Sequence, residues 1–341
     1  MALRRDKGRR SILAETDIVI HILAITENRA RYVMKPYPLI SLAAALLLIS
    51  SPVLAQTSGI LPTRVAADQN VKAETADIAT LQIQAQAGDV KAQVRLADDY
   101  FTGNGIGQDY AKAFDWYRKA ANAGDPEAQT ELGLMYAKGY DVTPVDYKEA
   151  IHWTRIAAEQ GYVGAQYNLG VAYDNGLGVE ADLPTAFSWY LKAAEQGYDI
   201  AQFNVATMFE AGQGVLQDLA SARDWYQKAA DQGNAPARYN LGNMYLTGRG
   251  VEKDAARGLA LVEASARQGF PLAQSRMAGL YYAGEAVPQD KVKAYAWALL
   301  AAGDGDPEGQ NLMKAMDGNH LLNEADMRQA SALADTYASA Q

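Results

Sequence analysis

The stretch that decides the fold runs from residue 165 to residue 197 and reads AQYNLGVAYDNGLGVEADLPTAFSWYLKAAEQG. Leu169 and Tyr173 lie four residues apart, so they share one apolar face of a predicted helix. Gly176 ends that helix, because glycine readily adopts the left-handed conformation found just after helix C-termini. Asp182 then caps a second helix, since its carboxylate can accept hydrogen bonds from the first unpaired N–H groups. This stretch therefore predicts two helices joined by a glycine-rich loop.

The same layout recurs along most of the chain. Trp153 lies 37 residues after Trp116, and Trp189 lies 36 residues after Trp153. Glycines recur in the same register at the ends of the predicted first helices: Gly103, Gly139, Gly176, Gly212, Gly248 and Gly284. Aspartates recur at the predicted starts of the second helices: Asp109, Asp146, Asp182, Asp218, Asp254 and Asp290. The longer step reflects one extra loop residue at Thr143-Pro144-Val145. These series predict tandem helical hairpins over residues 92–305, because one such unit cannot bury its apolar face alone.

The repeated pattern A-Q-Y-N-L-G-x-x-Y-x-x-G-x-G-V-x-x-D…A-x-x-W-Y-x-K-A-A-x-x-G resembles that of the Sel1-like repeat family, a relative of tetratricopeptide repeats with a longer inter-helix loop. The resemblance covers about Ala92 to Gly305 in six units. It implies an all-α fold, an α/α solenoid or superhelix that serves as an interaction scaffold. Gly258, Leu261 and Ala286 depart from the pattern, which leaves the local loop shape open in the last two units.

The segments on either side of the repeats are expected to cover the ends of the array. Residues 73–91 contain a predicted N-terminal capping helix, and residues 306–341 contain predicted C-terminal capping helices. Residues 56–72 are polar and are predicted to be a flexible linker. The tryptophans are expected within helix pairs, so that Trp189→Ala would cost about 3–5 kcal/mol.

The N-terminal region has the layout of a secretory signal. Met34-Lys35 precedes an apolar run from Leu39 to Ile49, and small residues follow up to Ala55. We predict a signal peptide over residues 34–55 that is cleaved after Ala55, which makes the protein periplasmic or secreted. The alternative is an uncleaved membrane anchor. Residues 1–33 are interpreted as an over-extended start, or alternatively as a real N-terminal extension.

Composition restricts the partners and the chemistry. The sequence has no cysteine, which excludes disulfides, thiol nucleophiles and zinc–thiolate sites. Residues 1–55 hold eight of the 31 Lys and Arg and four of the 40 Asp and Glu, so the remainder carries a net charge of −13. Such a charge disfavours nucleic acid and anionic lipid and favours basic or neutral partners. We therefore expect a protein or peptide partner, with no nucleic acid and no stable membrane span after cleavage.

No catalytic, cofactor-binding or metal-binding residue is predicted. His152 and His320 have no obvious nucleophile or carboxylate setting, and the sequence has no H-E-x-x-H motif. The glycine-rich stretch at residues 103–107 falls between two helices, which is not the context of a phosphate-binding loop. Some Sel1-like proteins have been described as β-lactamases. The cysteine-rich branch of the family carries a disulfide in each unit, whereas this chain has no cysteine. The S-x-x-K motif of penicillin-recognising enzymes is also absent. A periplasmic enzyme acting on peptidoglycan or β-lactams remains an alternative hypothesis.

One recurring pair on the first helices is a candidate for partner binding. It occurs in units three to five as Tyr167-Asn168, Phe203-Asn204 and Tyr239-Asn240. Side-chain amides both donate and accept hydrogen bonds, which suits an extended peptide backbone lying along a concave groove. The alternative is that the pairs only pack between units. By resemblance, the role would be to regulate or assemble an envelope process, for example by restraining a sensor kinase in exopolysaccharide control. A secreted adaptor acting on a host is a further alternative.

Overall fold

The computed structural model describes residues 78–339, which form fifteen α-helices and no strand. All of them fall within one compact unit. The helices are α1 (Ile78–Gln86), α2 (Val90–Thr102), α3 (Tyr110–Asn122), α4 (Pro126–Lys138), α5 (Tyr147–Glu159), α6 (Val163–Asn175), α7 (Leu183–Glu195), α8 (Asp199–Ala211), α9 (Leu219–Asp231), α10 (Ala235–Thr247), α11 (Ala255–Arg267), α12 (Pro271–Ala283), α13 (Lys291–Gly303), α14 (Pro307–Gly318) and α15 (Glu324–Ser339). The predictions of an over-extended start at residues 1–33, a signal peptide at 34–55 and a linker at 56–72 lie outside the described residues.

The helices pack mainly in chain order. The first and second helices of a unit contact each other, and each second helix contacts the first helix of the next unit. At the C-terminal end, α15 also packs on α13. Each unit therefore contacts mostly its neighbours, as expected for a solenoid. The prediction of an all-α solenoid is thereby confirmed.

The helix boundaries follow from side-chain caps and left-handed residues. All six predicted aspartates cap their second helices by accepting backbone N–H bonds, for example from Lys112 to Asp109 at 3.0 Å. In unit six, Ala286 adopts a φ of 60°, so this alanine keeps the conformation of the glycine that it replaces. Gly258 lets α10 and α11 approach closely, because a Cβ there would lie 2.7 Å from the Gly242 carbonyl oxygen. The departures from the repeat pattern therefore leave the unit's architecture intact.

The prediction that the tryptophans lie inside the helix pairs is wrong for four of the five. Only Trp297 is fully buried, while Trp116, Trp153, Trp189 and Trp225 are half-buried. In three of those units, the tyrosine that follows the tryptophan faces the core and is 0–2 % exposed: Tyr117, Tyr190 and Tyr226. Consecutive helix positions point about 100° apart, so only one of the two aromatic residues can face the first helix. The tryptophans instead pack at the edge of the core, as Trp189 does beside the cluster that contains Ile151 and Leu169.

Candidate functional site

The structure separates the six residues predicted to bind a partner into two groups. Tyr167 and Asn168 on α6 are buried, each residue being 3 % exposed. The other four, on α8 and α10, are half-buried: Phe203, Asn204, Tyr239 and Asn240. All six residues are therefore less exposed than residues that line an open binding groove would be. Their role in partner binding stays a prediction.

The asparagines of units four and five contact tyrosines of the preceding unit. The Asn240 side-chain amide donates to the Tyr226 hydroxyl at 2.9 Å, and that hydroxyl donates to Glu210 at 2.6 Å. One unit earlier, Asn204 forms hydrogen bonds with the hydroxyls of Tyr167 and Tyr190. These amides thus connect one helical hairpin to the next, which favours the packing interpretation for Asn204 and Asn240.

Burial controls the ionisation of the tyrosines in these contacts. Removal from water raises the pKa of Tyr167 to about 12, although its hydrogen bond with Asn204 acts in the opposite direction. The pKa of Tyr190 and that of Tyr226 are raised well above the usual value for the same reason. These hydroxyls therefore stay protonated at neutral pH and serve as hydrogen-bonding groups rather than as acids or bases.

A second set of hydrogen bonds, formed by glutamines, also connects the units. Gln196 donates to the Gln166 side-chain oxygen at 2.7 Å, and Gln166 donates to the Ala158 carbonyl oxygen at 3.3 Å. Gln232 and Gln202 repeat the arrangement one unit later. These glutamines recur in the sequence as A-Q and Q-G dipeptides. The sequence alone did not show which groups of the neighbouring helices they contact. These amides are committed to internal hydrogen bonds, so they are poor candidates for ligand contacts.

The repeated feature that does face solvent is a tryptophan–lysine column on the second helices, formed by Trp116 with Lys119, Trp189 with Lys192, and Trp225 with Lys228. In each pair the ammonium group lies over the indole, with Nζ 3.6–3.7 Å from the ring centroid. The lysines are exposed and the tryptophans are half-buried. The W-Y-x-K spacing places the two side chains one helical turn apart. The W-Y-x-K motif was visible in the sequence, but its spacing alone does not show that the two side chains form an exposed surface.

The remaining candidates for chemistry are isolated. His152 is exposed beside Trp153, with ring centroids 5.4 Å apart, and His320 lies in the turn between α14 and α15. Within residues 78–339, no group of three or more His, Asp or Glu side chains is placed to hold a metal ion. Over the same range, no helix combines the length and the apolar character needed to cross a membrane.

Comparison with protein families identifies the repeated unit. The Sel1 repeat model matches six successive segments of this chain: residues 90–125, 126–162, 163–198, 199–234, 235–270 and 271–306. The first matched segment starts at residue 90, two residues before the start predicted from the sequence at Ala92. It therefore includes the whole of α2, which begins at Val90.

Two solved structures share both sequence and architecture with the chain. The structure of c5321, described as a protective antigen of uropathogenic Escherichia coli with an SLR fold, is 35 % identical with a TM-score of 0.69. The match covers 77 % of this chain and 56 % of that one. A Sel1 repeat protein from Oxalobacter formigenes is 32 % identical with a TM-score of 0.61, covering 77 % of this chain and 78 % of that one.

A curated plant protein is similar over a shorter segment. It is the ERAD-associated E3 ubiquitin-protein ligase component HRD3A from Arabidopsis thaliana, 33 % identical over 93 residues. The match covers 26 % of this chain and only 14 % of the plant protein. The similarity is therefore confined to a small part of that relative.

Proposed function

Because the chain belongs to the Sel1 repeat family, we propose that it is a non-catalytic, exported scaffold that binds a protein or peptide partner. Sel1 repeats suggest a role in protein interaction, and c5321 and HRD3A are described as an antigen and as a component of a ligase assembly. Those descriptions apply to the relatives. That this chain also binds a partner is our proposal.

The observation that carries the proposal is the tryptophan–lysine column. Half-exposed indoles covered by an exposed ammonium group recur in units one, three and four; in unit two, Ile156 takes the place of the lysine beside Trp153. Tryptophan is enriched in protein interfaces, because its large ring contributes contact area at little cost in side-chain entropy. A repeat array that presents the same group on three of its units suits an extended partner better than it suits a small substrate.

Charge-reversal variants test the binding surface. Full-length protein and the variant Lys192→Glu plus Lys228→Glu would be used for affinity purification from the envelope fraction. Lys148→Glu plus Lys253→Glu is the matched control, since these exposed lysines lie outside the column and the charge change is equal. We expect the column variant to lose the co-purifying partner and the control to retain it, with unchanged thermal unfolding in both. Equal capture by both variants would refute the column as the binding surface.

The groove hypothesis for the asparagine pairs is tested in the same purification. Asn204→Ala plus Asn240→Ala removes two side-chain amides and also the hydrogen bond to Tyr226. Loss of the partner from a variant that still unfolds cooperatively would support the groove. Retention of the partner would assign these residues to packing alone.

Export is tested independently of binding. We propose that the mature chain begins at Gln56, after cleavage that follows Ala55. Mass spectrometry of the N-terminal peptide from the periplasmic fraction would identify the start. A chain recovered only from the cytoplasm with residues 34–55 intact would refute export and leave the scaffold proposal standing.

The description of c5321 as a protective antigen favours a second candidate, a secreted adaptor that contacts a host protein. An antigen that elicits protection must be accessible to the host, and c5321 shares the repeat fold. Detection of the protein in culture supernatant, with a cytoplasmic marker absent, would separate this candidate from a periplasmic role.

A further inference from the structure

Two neighbouring junctions between units are filled by the same three groups. Tyr226 extends from the second helix of unit four, donates to Glu210 of its own unit and accepts from Asn240 of the next. Tyr190 of unit three occupies the equivalent position, with Asp174 and Asn204 as its partners. In each junction a phenol ring fills the space between the helices and its hydroxyl satisfies the asparagine.

The junction between units two and three keeps the asparagine but lacks the other two groups. Thr154 stands where the tyrosine would be, and Ala137 stands where the carboxylate would be. Asn168 is 3 % exposed, and its side-chain oxygen has no hydrogen-bond partner. Ala172 also takes the position that Met208 fills in the next unit, which removes further side-chain volume.

These shortened side chains leave a cavity of about 40 Å³. Since a water molecule needs roughly 10–15 Å³ of such space, the cavity has room for a few waters or for the hydroxyl-bearing edge of a ring. Ile151, Ala172 and Leu177 supply apolar walls, and Thr154 and Asn168 supply the polar groups. Exposed Tyr147 and half-buried Lys138 also line it, so the cavity reaches the surface of the protein.

Gly133 on the first helix of unit two lies against Thr154, one of the residues that line the cavity. A Cβ at Gly133 would lie 2.7 Å from the Thr154 hydroxyl oxygen. In unit three, Gly170 has the same position, and a Cβ there would lie 2.6 Å from the Tyr190 ring. The glycine that accommodates a tyrosine ring in unit three is therefore retained in unit two, where the chain supplies no ring.

We propose that this cavity binds a tyrosine side chain of a protein or peptide partner, with the incoming hydroxyl donating to the Asn168 side-chain oxygen. A phenol matches the group that the chain itself uses in the next two junctions. Phenylalanine would leave the asparagine oxygen unpaired, and a lysine or arginine would meet Lys138 at the entrance. This inference rests on the proposed function in one respect only, because it assumes that the partner is a protein or peptide.

The test uses p-cresol, the side-chain analogue of tyrosine, with toluene as the analogue that lacks the hydroxyl. We expect p-cresol to shift the amide resonances of Thr154, Asn168 and Ala172 in the full-length protein. It should bind about tenfold more tightly than toluene, because only the phenol can pair the buried oxygen. Equal binding of the two compounds, or no binding of p-cresol up to its solubility limit, would overturn the proposal. A structure obtained with p-cresol in which the cavity holds only water would do the same.

Two variants separate the cavity from other binding sites. Thr154→Tyr places the chain's own phenol in the space, so p-cresol should no longer bind; Thr336→Tyr, at an exposed threonine of α15, is the matched control and should bind as the wild type does. If Thr154→Tyr does not fold, Asn168→Leu removes the buried oxygen and should abolish the preference for p-cresol over toluene. Undiminished binding to folded Thr154→Tyr, or an unchanged preference in Asn168→Leu, would contradict the assignment.

The failure of this inference is distinguishable from the failure of the scaffold proposal. Binding of p-cresol requires no cellular partner, so a negative result refutes the cavity and leaves the tryptophan–lysine column untouched. Conversely, a protein that binds p-cresol but captures no partner retains the cavity as a phenol site and loses the proposed function.

Discussion

The rings of Trp297 and Tyr337 are stacked, with centroids 4.2 Å apart and planes inclined by 13°. Tyr337 belongs to α15, and its ring covers the indole of the last second helix. Trp297 is consequently 1 % exposed, whereas the equivalent tryptophans of units one to four remain half-buried. The C-terminal helix therefore seals the last unit, where no further repeat follows among the described residues.

Trp297→Ala is expected to destabilise the protein by about 3–5 kcal/mol, because it opens a cavity under α15. Trp189→Ala should cost only about 1–2 kcal/mol, since its indole is half-exposed and the core tyrosine beside it stays in place. Urea unfolding followed by circular dichroism measures both. Equal losses from the two variants would contradict the assignment of Trp297 as the only indole fully enclosed between helices in the described part of the chain.

The contrast between the tryptophans and the tyrosines marks what the sequence could and could not predict. Spacing alone located the helices, the aspartate caps and the glycine ends, because these depend on neighbours within one unit. It could not decide which residue of the Trp189-Tyr190 pair faces the core, since both are aromatic and adjacent. The hydrogen bond from Asn240 to Tyr226 was equally inaccessible, because it depends on how one hairpin is oriented against the next. The exchange of tyrosine for Thr154 was visible in the sequence, but its consequence for Asn168 required the structure.

Alkaline pH is expected to unfold the protein as the buried tyrosines ionise. A tyrosine in an unfolded chain loses its proton near a pKa of about 10. Burial raises the pKa of Tyr167 to about 12, so between these values the folded state holds a proton that the unfolded state has released. The stability from this group is therefore fully present below pH ~10 and is lost as the pH rises through about 12.

Urea unfolding at pH 9 and at pH 11.5 would measure this loss, and absorbance at 295 nm would report tyrosine ionisation. Tyr167→Phe should reduce the dependence on pH, because it removes one raised pKa. Tyr147→Phe is the control, since Tyr147 is 42 % exposed and should leave the dependence unchanged. An identical loss of stability in both variants would show that Tyr167 does not contribute.

Asp304→Gln is expected to stabilise the last unit by about 0.5–1.5 kcal/mol. In units three and four, a glutamine just after the second helix donates to the glutamine of the first helix, as Gln196 does to Gln166 at 2.7 Å. Asp304 takes this place in unit six, and the buried Gln274 side-chain oxygen has no partner, because a carboxylate has no proton to donate. The substitution would supply the missing donor.

Asp304→Asn is the matched control for that change. It removes the same negative charge from the C-terminal end of α13, where the helix dipole disfavours an anion, but its amide is one methylene too short to repeat the glutamine contact. The gain of Asp304→Gln over Asp304→Asn in chemical denaturation measures the hydrogen bond alone. Equal stability of the two variants would mean that Gln274 is already satisfied by water.

Gly178→Ala should be more damaging than Gly161→Ala, although both glycines have a positive φ, of 71° and 90° respectively. Alanine in the left-handed conformation costs roughly 1–2 kcal/mol at either site. At Gly161 no atom lies within 4 Å of the added Cβ, so the loss should stay within that range. At Gly178 the Cβ would lie 2.3 Å from the Tyr147 carbonyl oxygen of the preceding unit, which adds about 1–3 kcal/mol of overpacking. Thermal unfolding of the two variants compares them directly.

Because the clash at Gly178 falls between units two and three, hydrogen exchange in Gly178→Ala should increase first at α5 and α6. A loss confined to the loop itself would show that the glycine serves only its own turn and not the contact between repeats.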